Sequence, residues 1–517
     1  MIHLTKTNLV YLLLYTTSNI FILLNYDGLY WDDWVSYNQD SQTMAILYDM
    51  IKFGIKGDFY LILENMFNHI YAFRLFTFFA YLFIGYFIYK IILSTKIFNT
   101  STSKFIGFLS VIIPINAIKT YTIMTVFTFP MLLFYFAFFL LSKNYPLPNK
   151  SLKIIILTIF FFSFSTNSIL VFYASVLLYL YYMDNNKSLK INYTIVKTYM
   201  LKRWDFILLP IFYFLYMSIY LVPHGLYDGY NKVSFSIEKI IHSINISSQY
   251  MTKDLFISLV ENNYIVTSAL IVSGIIAFFL KHDIKIEWRQ TILLFILSIV
   301  LFIFATLPYA AVGKTPVLIG NNGRFALLLG PAIAMFFIAV ITLLSHLFFK
   351  YKQKIFLFLV SFIVITMVSK NFSQQYEFML DNFYQASIIE NFKTNDDIKD
   401  NTTFVVYPYK TRSYYVWNGL AKKAFNDTKR LMLLPSKVKL SHGEIGDNLF
   451  QELKEYRQYK QYNFYMWNLN RKYLKVLIQE NTPVTPLTET KLIFYYLFDK
   501  KIFKNLVKML VKIEVKS

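Results

Sequence analysis

The chain has 517 residues, 56 % of them hydrophobic and only 16 % charged, and its mean hydropathy is +0.44. This balance excludes a string of soluble domains and predicts an α-helical polytopic membrane protein, with Phe (53) and Tyr (42) supplying much of the lipid-facing surface. The absence of cysteine removes disulfides, thiolate metal sites and cysteine nucleophiles, and the net charge of +21 is dispersed among apolar runs rather than gathered for a nucleic-acid partner.

A membrane span needs about 20 apolar residues. The first such run, Thr7–Tyr26, has no small-residue cleavage site after it and reads as a retained signal-anchor. Behind it comes a first outer loop, residues 27–70, rich in carboxylates: Asp27, Asp32, Asp33, Asp40, Asp49, Asp58 and Glu64. Met44, Leu47, Tyr48 and Ile51 of this loop recur at helical spacing. They predict an amphipathic helix lying on the membrane surface or on the protein's own core.

Further spans are expected at Tyr71–Tyr89 (carrying Arg74), Phe105–Ile118 and Thr120–Ser142. The charge-free run Ile154–Met183 is too long for one crossing, and its polar middle, Ser163–Ser168, predicts a hairpin of two short helices. Phe206–Pro223, Asn262–Leu280, Gln290–Gly313, Phe325–Phe349 and Ile355–Ser369 bring the total to about 11 crossings. With the N-terminus cytoplasmic, basic residues in the inner loops outnumber those outside by about two to one, as the positive-inside rule requires. A single helix at Ile154–Met183 would reverse the best-populated loop and spoil that bias.

The apolar runs stop at Lys370. Residues 1–369 therefore read as a transmembrane domain and residues 370–517 as a small α+β extracytoplasmic domain. That tail has a helical start (Asn371–Phe392), a strand-like Thr402–Tyr409 and a second apolar run, Lys491–Phe498. Tyr456–Lys475 mixes basic and aromatic residues, which suits a glycan or lipid headgroup on that side of the membrane.

The chain has no phosphate-binding glycine loop, no HExxH zinc motif, no nucleophile elbow and no EF-hand, and its seven histidines lack metal-ligand spacing. His224 falls at an outer helix end, as a substrate contact or an interface residue. In YWDDWVSYNQD (Tyr30–Asp40), Asp32 and Asp33 stand between Trp31 and Trp34, directly after the first span. A helix cap with two interfacial anchors would account for the stretch. Alternatively, the carboxylates do chemistry and the indoles offer flat faces to a sugar ring.

By this pair, the amphipathic outer-loop helix, the span count and the outer C-terminal domain, the chain resembles the GT-C class of membrane glycosyltransferases, which use polyprenyl-phosphate sugars. Within that class it is similar to bacterial glucosyltransferases that decorate O-antigen, the outer glycan of lipopolysaccharide, or other surface glycans. The resemblance implies a bacterial inner membrane enzyme, hexosyl- or pentosyltransferase, with Asp32 as base and Asp33 as its helper. It also implies a polyprenyl-phosphate-linked donor, a glycan or lipid-linked acceptor and contact with membrane lipid. A carboxylate beside another, at a partly apolar surface, should have a raised pKa and be a better base.

The leaving phosphate needs a cation. Arg324, in GNNGRFALLLGP, is expected to open a long apolar helix from the outer side, combining a planar donor fork with helix-terminal N–H groups. Lys119 and Lys314 are further candidates on that side. A divalent cation, Mg or Mn, is left open. A polymerase or flippase for lipid-linked repeat units is the alternative, but the outer loop Gly225–Glu261 lacks the arginines such a polymerase should carry. An ion-coupled transporter would place ionisable groups at mid-membrane, and these spans are nearly free of them.

Overall fold

The computed structural model describes residues 6–67, 70–147, 149–188, 190–228, 236–279, 287–318, 320–408, 410, 412–435, 440–441, 444–445, 473–481 and 485–516. Of the basic–aromatic stretch Tyr456–Lys475, residues 456–472 lie outside them.

The first apolar run forms α1 (Lys6–Leu24), and the loop behind it forms α2 (Asp33–Asn38), α3 (Ser41–Met50) and α4 (Ile55–Phe67). The stripe of α3 does not face lipid: Met44, Leu47 and Tyr48 are buried with Tyr60, Phe73 and Val126. α5 (Ile70–Thr95) then crosses against α6 (Thr100–Ile112) through Gly85 and Gly107, where a Cβ on Gly107 would lie 2.5 Å from the Gly85 carbonyl oxygen.

α6 is shorter than the expected Phe105–Ile118. Pro114 disfavours helical geometry at Ile113, which takes ψ 128°, and the chain continues as 3₁₀ turns at Ala117–Thr120 and Thr122–Met124. α7 (Thr125–Lys143) follows.

The long run breaks at its polar middle, giving α8 (Lys150–Ser163), α9 (Asn167–Phe172) and α10 (Ala174–Asp184). The chain does double back there. Lys153, near the start of α8, pairs with Asp205, while Asp184, at the end of α10, takes Arg203 Nε at 2.6 Å. Both ends thus meet the junction of α11 (Tyr193–Lys202) and α12 (Trp204–Tyr220). Next come α13 (Ile237–Gln249), a π turn, α14 (Leu255–Val260) and α15 (Asn263–Phe279), with a bend of 89° before α15.

α16 (Trp288–Ala310) and α17 (Gly330–His346) bracket a 3₁₀ turn at Asn321–Ala326. α17 begins five residues later than the expected Phe325, because Pro331 occupies its first turn, where a missing N–H costs nothing. Arg324 therefore sits in the turn and not at the head of the long helix, so the helix-terminal donors expected beside it are absent. α18 (Lys352–Lys393) is one helix of 42 residues, about 63 Å long. It joins the last expected span to the tail without a linker at residue 369.

Among the described residues, four helices are long and apolar enough to cross a membrane: α5, α7 with its preceding turn, α16 and α18. The bent pair Ile237–Val260 and Asn263–Phe279 makes a fifth, and α1, α12 and α17 are shorter apolar helices. The chain is a multi-pass, mainly helical membrane protein.

At one end of the bundle α18 carries α19 (Asp396–Asp400), β1 (Thr403–Tyr407), α20 (Tyr414–Phe425) and β2 (Leu431–Leu433). A short ladder, β3 (Leu440–Ser441) with β4 (Glu444–Ile445), precedes β5 (Leu474–Glu480), α21 (Pro486–Phe498), α22 (Lys500–Val507) and β6 (Val511–Lys516). The sheet runs β2-β1-β5-β6, parallel except for the β5–β6 pair. Phe404 and Val406 of β1 join Met379, Phe383, Trp417 and Val476 in one core. That core also takes Phe21, Leu29 and Trp34 from the start of the chain, so the tail and the first loop form one packed body.

Candidate functional site

The loop after α1 is clamped from several elements. Arg74 Nη2, from α5, donates to the Gly28 carbonyl (2.6 Å), and Gln385 Nε2, from α18, donates to that of Leu29 (3.0 Å). Tyr30 takes a hydrogen bond from Asn25 Nδ2 (2.5 Å) and donates its own hydroxyl to the Phe378 carbonyl. Trp31 then adopts φ 45°, a left-handed conformation that costs a bulky residue about 1–2 kcal/mol and holds only where the surroundings impose it. Asp32 emerges from that turn.

Asp32 stands at the N-cap of α2, yet its side chain makes no capping bond. Half-buried, it accepts a hydrogen bond from the Tyr415 hydroxyl of α20 at 3.1 Å. Burial pushes its carboxyl up to about 6, with a further rise from Asp33, against the Tyr415 bond and the Arg324 charge.

Asp33 is fully buried, and both its oxygens are engaged. Oδ2 accepts from the Tyr30 N–H (3.1 Å) and Oδ1 from the Ile123 N–H (2.9 Å), which ties the loop to the turn before α7. Burial raises its carboxyl too, with the Arg74 charge opposing. The two neighbours thus have different surroundings: Asp33 is a tie, while Asp32 is partly exposed.

Arg324 stands near Asp32, and its charge acts on that carboxyl. Its guanidinium carbon lies 4.8 Å from the centroid of one Trp31 ring and 5.1 Å from that of Phe325. Lys314 Nζ lies 5.5 Å from the same Phe325 ring, and burial together with the Arg324 charge lowers its pKa. Asp32, Trp31, Arg324 and Lys314 therefore converge from sequence positions far apart.

The other expected residues do not join them directly. Lys119 is buried in the 3₁₀ turn that packs on the Arg324 turn, with Nζ 5.5 Å over the Tyr81 ring, and burial pulls its ammonium down to about 7. Trp34 is 1 % exposed and cannot offer a face to a sugar or to lipid. It fills the core against α20, where a Cβ on Gly419 would come within 2.3 Å of its ring. His224 sits at the end of α3, its backbone N–H on the Met50 carbonyl (2.9 Å) and its Nε2 3.7 Å from Asp49, both side chains exposed.

Tyr415 and Gln385 were not legible as site residues, one tyrosine among 42 carrying no local signal. Arg74 was visible as a charge within an apolar run. Its Nε and Nη1 have no hydrogen-bond partner among the described residues, beneath the loop that carries Asp32.

Among the described residues, no three His, Asp or Glu side chains converge as metal ligands. Asp32 has the Tyr415 hydroxyl, the Arg324 charge and the neighbouring Asp33 acting on it, and the oxygens of Asp33 are held by backbone N–H groups. The arrangement can accept a proton at Asp32 and hold an anion at Arg324 and Lys314, with an aromatic face at Trp31 between them.

No protein-family model matches the chain, and no curated protein matches it. Among solved structures, it is similar to ArnT from Cupriavidus metallidurans in the apo state, at 10 % identity over 94 % of this chain and 95 % of that one, with a TM-score of 0.35.

Proposed function

We propose that the protein is a membrane glycosyltransferase that moves a sugar from a polyprenyl-phosphate donor to a glycan or lipid-linked acceptor on the outer face of the membrane. The observation that carries this reading is a half-buried carboxylate, excused from capping its helix and near enough to Arg324 to feel its charge, with Lys314 beside Arg324 in turn. Asp32 takes the proton of the acceptor hydroxyl as its oxygen bonds to the anomeric carbon. The bond from that carbon to the phosphate oxygen breaks, and the polyprenyl phosphate leaves with both electrons. Arg324, with its planar fork, and Lys314 receive the charge that develops there. Trp31 supplies the face on which the sugar lies, while Asp33 and Arg74 hold the loop that presents Asp32.

Mass spectrometry of surface glycans tests this reading. A deletion strain should lack one hexose or pentose that its parent carries. The wild-type gene should restore that sugar, and Asp32→Asn, inserted at the same level, should not. Restoration by Asp32→Asn would end the proposal. Loss of whole repeat-unit polymers in place of one sugar would favour the polymerase or flippase.

A further inference from the structure

α21 has two apolar faces. Leu492 and Tyr496 are buried in the tail's core, while Leu487, Phe494 and Phe498 are 66 %, 55 % and 73 % exposed. The spacing of the exposed three puts them in one stripe, with Lys491 within it. The rings of Phe494 and Phe498 lie 5.0 Å apart, centroid to centroid. A contiguous bare aromatic stripe outside the bundle marks a surface that something covers.

Height identifies the cover. Tyr26, two residues past α1, stacks on Tyr496 at 4.8 Å, and Lys500 Nζ lies 4.8 Å over the Tyr26 ring. Tyr376 of α18 donates to Glu489 of α21. Six residues earlier in α18, Lys370 pairs with Glu261, at the joint where α14 bends into the apolar α15. α21 is therefore held about 9 Å above the level of Lys370, close to the thickness of a headgroup layer, about 5–8 Å.

The charge fits as well. Lys491, and Lys501 and Lys504 on α22, are exposed. The nearby acids are engaged, Glu489 with Tyr376, Asp27 with the Tyr496 hydroxyl, and Asp499 as the cap of α22, accepting from the N–H groups of Lys501 and Ile502.

We propose that α21 and α22 form a membrane-docking face. Leu487, Phe494 and Phe498 enter the leaflet beside α1, and Lys491, Lys501 and Lys504 bind anionic phospholipid headgroups. This proposal does not depend on the transferase reading.

Because the chain has no cysteine, one introduced thiol reports alone. The full-length protein, labelled with a fluorophore at Phe494→Cys, Phe498→Cys or Asp396→Cys, is reconstituted in phosphatidylcholine with or without phosphatidylglycerol. A spin-labelled lipid serves as the quencher. Asp396 is exposed beyond the far end of α18, roughly 35 Å from Lys370, and should escape quenching. Positions 494 and 498 should be quenched, and more strongly as phosphatidylglycerol rises. Each of Lys491→Gln, Lys501→Gln and Lys504→Gln should lower the docked-to-free ratio roughly fivefold, the equivalent of about 1 kcal/mol near an anionic surface. Quenching at 494 and 498 no greater than at 396 overturns the proposal, and means that another protein surface covers the stripe. Quenching indifferent to phosphatidylglycerol overturns it equally.

Discussion

A carboxylate that takes a proton from a hydroxyl works only while ionised, so on the proposed reading the pH at which Asp32 titrates should set where transfer begins. With burial pushing that group up to about 6, the transfer rate should climb as pH rises through about 6. Tyr415→Phe removes a bond that favours the charged form and should move the midpoint upward; Asp33→Asn removes a like charge and should move it down. Asp33→Asn should also cost about 1–3 kcal/mol in thermal unfolding, because its amide turns an N–H toward a backbone N–H. A pH–rate profile unchanged in both variants would remove Asp32 from the base's role. Arg324→Ala should abolish transfer and Arg324→Lys should keep part of it, since an ammonium cannot copy the two-pronged donor. Full turnover in the alanine variant would make Arg324 a surface anchor. The adjacency of the two aspartates was legible in the sequence. Their difference was not, because the groups that set it, the Ile123 N–H and the Tyr415 hydroxyl, stand 90 and 383 residues away.

Elements were legible where periodicity and composition decide them, and failed where local geometry or distant packing does. The break within Ile154–Met183 follows from its polar centre, and α8–α10 follow it. Pro114 and the Gly330–Pro331 pair were start and stop signals present in the sequence, overridden by counting apolar residues alone. α3 shows the limit differently: its stripe fitted lipid or protein equally, and only the arrival of Phe73 and Val126 decides for protein. Trp34 was misplaced for the same reason, since its cover, α20, is distant in sequence. That contact gives an element-scale expectation. Gly419→Ala puts a methyl into the Trp34 ring, and a ring enclosed on all sides cannot swing clear. α2 should shift with it, lowering the unfolding temperature and the transfer rate together. A variant with parental activity and stability would show that α2 and α20 are not rigidly coupled.

For the molecule as a whole, the charge bias predicted a shared side for the first loop and the tail, and their common core places both at one end of the bundle. Which side of the membrane that end faces is tested by fusion. A reporter active only outside the cytoplasm should work when fused after Lys393 and stay silent when fused between Asp184 and Asp205. Activity at the second site would invert the orientation proposed for the whole chain.

The union of Trp34 with Gly419, and of Asp32 with Tyr415, also orders the protein's biosynthesis. The first loop leaves the ribosome early and meets its partners 383 residues later, an interval of about 20–80 s at ordinary elongation rates. Throughout that interval Trp34 has no cover and Asp32 no hydroxyl beside it. The nascent chain is thus inserted before the surroundings of its carboxylate exist, and they are completed only once α20 has been made.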